Sequence, residues 1–149
     1  MTPVDTIIVG AGGRGNAYGR FATEYPNELT VIGVAEPDQV RRERMMTFHD
    51  IAPDQAFSDW ESLLETGEKQ ASTVINCTMD RTHYDSTMKM LDMGYDVLLE
   101  KPMTPVLHEN VKLVQKAEDS GRLLQVCHVL RYSPFWQTLR EVIHSGKLG

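Results

Sequence analysis

Residues 7–25 read IIVGAGGRGNAYGRFATEY, an apolar run that opens into four glycines within six positions and closes in a stretch of helical composition. Gly10, Gly12 and Gly15 form G-x-G-x-x-G at that junction, which binds a dinucleotide when it follows a strand and starts a helix. The three glycines meet separate demands. The first permits a tight turn, the second lets backbone approach a pyrophosphate, and the third lets helix and strand pack closely. The start of the helix adds unpaired N–H groups and a partial positive charge for the phosphates. Gly13 and Arg14 extend the loop, and Arg14 either sets a cation beside the diphosphate or stands in solvent. Taken alone, the pattern is only a glycine-rich turn, so its surroundings decide.

Those surroundings alternate short β-branched runs with longer amphipathic stretches, the mark of a parallel sheet covered by helices. TIIVG (6–10), LTVIGVA (29–35), STVINCT (72–78), DVLLE (96–100) and LLQVCHV (123–129) are predicted strands. Helices are predicted over 14–25, 38–48, 59–66, 82–93 and 105–119. Gly67, Gly94 and Gly121 fall where a left-handed C-cap is wanted. Asp59, Thr82 and Thr104 are expected N-caps, with Pro105 in a first turn. The reading is an α/β fold, a Rossmann-type doubly wound, mostly parallel sheet with helices on both faces, with residues 1–149 as one NAD(P)-binding domain.

Glu36, 21 residues past Gly15, closes the second strand, where a carboxylate accepts hydrogen bonds from the adenosine ribose hydroxyls. It favours NAD over NADP, because a 2′-phosphate would meet a like charge that Arg41 and Arg42 only partly offset. The alternative is a surface turn, AEPD. Farther on, NCTMD (76–80) and EKP (100–102) stand at strand carboxyl ends, the side on which open parallel sheets bind ligands. Lys101, held before a proline, is the candidate catalytic residue: between nicotinamide and a substrate alcohol it would bond the oxygen and help its proton leave. Out of context, EKP is a common surface tripeptide.

Composition narrows the partners. A net charge of −6 with scattered Lys and Arg argues against nucleic acid and anionic membranes. Cys77 and Cys127 lack paired spacing and suit buried thiols in a reducing cytoplasm. No apolar run approaches the ~20 residues of a membrane span, and a soluble protein is expected. His49, His83, His108, His128 and His144 show no metal-ligand spacing, so no metal is expected. Met88, Met90 and Met93 read as core or interface filler.

GAGGRG, AEPD, CTMDRTHY and LLEKP, in this order and spacing, resemble the Gfo/Idh/MocA family (glucose-fructose oxidoreductase, inositol dehydrogenase, rhizopine catabolism) over nearly the whole chain. The resemblance implies that Gly10, Gly12, Gly13, Arg14 and Gly15 bind the NAD(P) pyrophosphate and Glu36 the ribose. It implies that Cys77, Thr78 and His83 line the cofactor cleft, and that Glu100, Lys101 and Pro102 form the family's EKP motif beside nicotinamide and substrate. From the residues alone, His83 reads first as a hydrogen-bonding residue at a helix start. Met79 departs from the proline usual after Thr78. HVLRYSPF (128–135) resembles the segment leading to a second domain, where Arg131 and Tyr132 either approach the substrate or pack at the domain interface. By the same resemblance a second α/β domain, absent from this chain, would carry most of the substrate pocket, the Asp/His pair and the oligomer interface.

The implied function is the cofactor half of an NAD(P)-dependent oxidoreductase acting on a secondary alcohol or carbonyl of a small sugar or polyol. The implied whole protein is a homo-oligomer. The chain alone is expected to be inactive and to self-associate through its exposed interface. The alternatives are a dinucleotide sensor without catalysis and an NAD-dependent glycoside-cleaving enzyme.

Overall fold

A computed structural model of the chain describes residues 2–148. The elements run β1 (Val4–Val9), α1 (Gly13–Glu24), β2 (Leu29–Ala35), α2 (Gln39–His49), β3 (Ala56–Phe57), α3 (Trp60–Glu65), β4 (Thr73–Asn76), α4 (His83–Asp92), β5 (Asp96–Leu99), α5 (Leu107–Ser120), β6 (Leu124–Val126) and α6 (Pro134–His144). Short 3₁₀ turns occupy Pro53–Gln55 and Val129–Tyr132. The six strands pair in parallel in the order β3-β2-β1-β4-β5-β6.

β1 is buried on both faces, so it reads as a continuous apolar run and not as an alternation. Ile8, Val34 and Ile75 pack with Ala22 of α1 and Met45 of α2 on one face. Ile7, Val9, Val74, Val97 and Leu99 meet Leu63 of α3, Met90 and Leu91 of α4 and Leu113 of α5 on the other. Each fully buried side chain of this kind contributes about 1.5–3 kcal/mol relative to exposure. The chain order reverses between β1 and β4, and the loops leaving those two strands diverge there. This is the crevice where open α/β sheets hold ligands.

The punctuation follows the residue types closely. Asp59 caps α3 through a reciprocal bond with Ser62, and Gly67, Gly94 and Gly121 all follow helix ends with positive φ. Asp38, a further cap, accepts the Arg41 N–H at the start of α2. Two expected caps are corrected. Thr82 makes no capping bond, and Thr104 closes a local turn onto Val106, so α5 begins later, at Leu107, and Pro105 precedes it.

β3 and α6 are additions to the expected elements. β3 is two residues long and gains its strand character from pairing with β2. On α6, Phe135, Trp136, Leu139, Val142 and Ile143 recur with helical spacing and are exposed. The sheet also presents a bare hollow of about 530 Å³, lined by Tyr18, Phe21, Leu29, Leu98 and Leu123 among others.

Candidate functional site

The glycine loop leaves β1 at Gly10, whose φ of 92° lies in the left-handed region. A Cβ at Gly10 would stand 2.5 Å from the Cys77 carbonyl oxygen, and one at Gly15 would stand 2.1 Å from the Gly10 carbonyl oxygen. The fold itself therefore requires the first and third glycines. The middle of the loop is different: a Cβ on Gly12 or Gly13 would meet nothing within 4 Å, and Gly12 has an ordinary φ of −72°. No internal packing demands glycine there. The open space lies over the first turn of α1, whose N–H groups suit an anion brought close to backbone. A pyrophosphate fits that cradle. Asn16 braces the loop by donating to the carbonyls of Ala11 and Gly12 at 2.7 and 2.8 Å.

Glu36 is 6% exposed, yet it lines the crevice. One carboxylate oxygen accepts the Ala11 N–H at 2.6 Å and the other the Asp38 N–H at 3.0 Å. The side chain thus ties the glycine loop to the end of β2, and each oxygen keeps a further lone pair for a hydroxyl donor. Gly10, Gly12, Glu36, Cys77 and Thr78 line one cleft of about 340 Å³ with Pro37, Arg41, Trp60 and Met79. Of the two arginines after β2, Arg41 faces this cleft, whereas Arg42 donates to the Glu36 carbonyl.

The opposite wall is organised by Asn76, which is wholly buried. Its amide donates to Ser86 at 2.8 Å and Thr87 at 3.1 Å, while its oxygen accepts the Thr78 hydroxyl at 2.8 Å. Burial pushes the Cys77 thiol up to about 12, with the Glu100 carboxylate adding to the effect. Cys77 is accordingly a neutral wall residue at physiological pH.

His83 follows the hydrogen-bonding reading and departs from the cleft-lining one. It does not line the cleft: its side chain is 0% exposed, and its ring spans two loops. Nε2 lies 3.1 Å from the Thr78 carbonyl oxygen and Nδ1 2.8 Å from that of Pro102. Its influence on a bound molecule passes through those loops.

The EKP segment follows β5. Glu100 is 5% exposed. Arg14 Nε stands 2.7 Å from Glu100 Oε1, the Tyr18 hydroxyl donates to the same oxygen at 2.9 Å, and the Lys101 N–H donates to Oε2 at 3.1 Å. Burial opposes the charge on Glu100, but the Arg14 and Tyr18 bonds outweigh it and hold the carboxyl below its ordinary range. Arg14 is correspondingly held in its charged form, first by its bond to Glu100. Its guanidinium is therefore committed to the EKP segment instead of reaching out freely along the loop. Burial raises the Tyr18 hydroxyl, and its bonds with Cys127 and Glu100 reinforce the shift. Lys101 is exposed, and its peptide bond to Pro102 is cis.

Arg131 and Tyr132 lie apart from this cleft. Both are exposed in the turn after β6, and Arg131 lines a separate hollow with Leu130, Trp136, Gln137 and Arg140. Among the described residues no three His, Cys, Asp or Glu side chains are grouped to hold a metal, and no helix is long and apolar enough to cross a membrane.

The sequence pattern of the Gfo/Idh/MocA oxidoreductases, with their NAD-binding Rossmann fold, matches residues 4–128. The chain belongs to this family. The Gfo/Idh/MocA relatives include inositol 2-dehydrogenase 4 of Saccharopolyspora erythraea, 29% identical over 95% of this chain and 41% of that protein. Another is the scyllo-inositol 2-dehydrogenase (NADP(+)) of Bacillus subtilis, 30% identical over 97% of this chain and 39% of that one. Among solved structures, the WlbA dehydrogenase of Chromobacterium violaceum, in complex with NADH and UDP-GlcNAcA, superposes with a TM-score of 0.87 at 18% identity. That likeness covers 100% of this chain and 42% of the other. The chain thus spans about two-fifths of the length of these relatives and carries the family's dinucleotide-binding fold.

Within that frame, Asn16, Tyr18, Trp60, Asn76 and Cys127 are site residues that sequence reasoning missed. Asn76 ends a predicted strand and is the easiest to recover, since a polar residue inside an apolar run needs partners when buried. Tyr18 and Cys127 carry no local signal, because their contact joins positions 109 residues apart.

Proposed function

We propose that the chain is the cofactor-binding half of an NAD-dependent oxidoreductase acting on a secondary alcohol or carbonyl of a sugar, polyol or related small molecule. One observation carries this reading: Gly10 and Gly12 of the open loop, the Glu36 carboxylate and the Cys77–Thr78 wall line one cleft, whose Thr78 loop is joined to the EKP segment through His83. The bound nicotinamide would supply hydride chemistry. Gly10, Gly12, Gly13 and Gly15 hold the pyrophosphate against backbone, Glu36 takes the ribose, and Lys101 holds the substrate oxygen and moves its proton. Glu100 and Pro102 fix the backbone on either side of that lysine. The inositol dehydrogenases among the relatives support a polyol substrate. The two free thiols suit a reducing cytoplasm.

The choice of NAD over NADP rests on Glu36. A charged hydrogen bond is worth about 1.5–3 kcal/mol, so Glu36→Ala is expected to weaken NAD binding roughly tenfold or more and to relax discrimination against NADP. Calorimetric titration of both cofactors measures it. Tighter binding of NADP than of NAD by the unmutated chain would overturn the assignment.

The chain alone is proposed to bind dinucleotide without turnover, because it provides one wall of the reaction site. It is also proposed to self-associate. The apolar side of α6 and the bare hollow beside Tyr18 and Leu98 are surfaces of the kind that mark interfaces. Sedimentation velocity should show a concentration-dependent shift to larger species; a clean monomer across a hundredfold dilution series would count against it. The whole protein is proposed to be a homo-oligomer.

A further inference from the structure

We infer that Tyr18 and Arg14, both on α1, are positioning residues for Lys101, acting through the carboxylate of Glu100. This rests on the reading that Lys101 stands beside the nicotinamide.

Glu100 is a nearly buried carboxylate that needs partners to stay charged. Its partners come from the helix that opens with the glycine loop: the Arg14 guanidinium at 2.7 Å and the Tyr18 hydroxyl at 2.9 Å share Oε1. Tyr18 is fixed in turn by Cys127 beyond β6 and by Arg14, whose guanidinium carbon lies 5.4 Å from the phenol ring centre. The other oxygen, Oε2, accepts the N–H of Lys101 itself at 3.1 Å. The carboxylate therefore links α1 to the backbone from which the lysine side chain springs.

On the far side of the lysine, the Pro102 carbonyl oxygen lies 2.8 Å from His83 Nδ1. Lys101 is thus flanked by two tethers from different helices. Its own ammonium makes no ion pair among the described residues. Such a group is placed by its backbone, and the backbone is placed by Glu100. Removing the phenol oxygen leaves a buried carboxylate short of a donor. The loop can recover that donor from water only by shifting, and Lys101 shifts with it. The helix whose start faces the pyrophosphate is the same helix that sets the lysine.

The test is the fluorescence of NADH bound to this chain, which reports the surroundings of the nicotinamide separately from total affinity. Tyr18→Phe keeps the ring and deletes one oxygen. It is expected to leave the NADH dissociation constant within about threefold, as for loss of one weak interaction. It should also move the emission of bound NADH in the direction produced by Lys101→Met. Combined with Lys101→Met it should add no further change, which is the signature of one coupled unit. Arg14→Gln should move the emission likewise, and Arg14→Lys should restore part of it.

Tyr18→Phe emission equal to that of the unmutated chain, beside an altered Lys101→Met emission, would overturn the positioning role and leave Lys101 at the nicotinamide. Changes that simply add in the double variant would overturn it as well. Unaltered emission of Lys101→Met would remove the lysine from the nicotinamide and overturn both readings. Circular dichroism identifies any variant that fails to fold, and the Tyr18 and Arg14 substitutions then stand in for each other.

Discussion

Lys101→Met, in a protein joining this chain to the remainder of a longer family member, is expected to lose about 10²–10⁴ in kcat while NAD affinity stays within about threefold. The exposed lysine follows the carboxyl end of β5, in the segment that His83 joins to the Thr78 loop of the cleft. Affinity for the dinucleotide is assigned to the cradle and Glu36, neither of which loses an atom in this variant. An interaction used mainly as the substrate oxygen gives up or takes its proton belongs to the transition state, so its loss falls on kcat. Methionine keeps the length of the side chain and removes the amine. The measurement is NADH formation by absorbance with myo-inositol and related polyols, alongside calorimetric titration of NAD. A variant of unchanged kcat would take Lys101 out of the mechanism. Tight NAD binding by the unmutated protein with no turnover of any alcohol or carbonyl would favour a sensor.

Gly12→Val and Gly15→Ala are expected to fail in opposite ways. At Gly12 the added side chain meets nothing within 4 Å and the backbone φ is ordinary, so the fold should survive. The helix loses at most a few tenths to about 1 kcal/mol at this N-terminal position. The branched side chain nevertheless fills the space through which a pyrophosphate reaches the N–H groups of α1, and NAD affinity should fall about a hundredfold or more. At Gly15 a single methyl would stand 2.1 Å from the Gly10 carbonyl oxygen and 2.9 Å from Ile8 Cγ2. Backbone must move, at a cost of about 1–3 kcal/mol or more, and thermal unfolding should shift downward accordingly. Unchanged NAD affinity in a folded Gly12→Val chain would place the ligand elsewhere.

The contrast between these glycines also shows where sequence was informative. Gly10, Gly15 and Glu36 sit within one βαβ unit, so their spacing, read with the flanking strands and helix, was enough to single them out. The strands were legible as apolar runs, but STVINCT and LLQVCHV overreach β4 and β6 at their carboxyl ends. Cys77, Thr78 and Cys127 continue the apolar pattern while belonging to loops, because each is half-buried like a strand residue.

α6 has a readable signal in Pro134 followed by apolar residues at 135, 136, 139, 142 and 143, which the likeness of HVLRYSPF to an interdomain lead masks. The roles of Arg14 and Tyr18 could not be read locally. Each depends on a partner brought close by the strand order, and a free cation beside a phosphate looks the same in sequence as one committed to Glu100.

The central place of β1 also governs when the site comes into being during folding. β1 precedes the other strands in the chain, yet its neighbours are β2 and β4, with Val9 in register with both Ala35 and Asn76. The Arg14–Glu100 bond joins positions 86 apart in the chain. Parallel pairings of this separation are reached only after the loop-closure entropy has been overcome. The glycine loop is therefore a late-maturing feature, encoded ahead of the strands that complete it. A dinucleotide that recognises only the finished crevice would act as a folding ligand, adding about 2.7 kcal/mol of stability at a hundredfold excess over its dissociation constant.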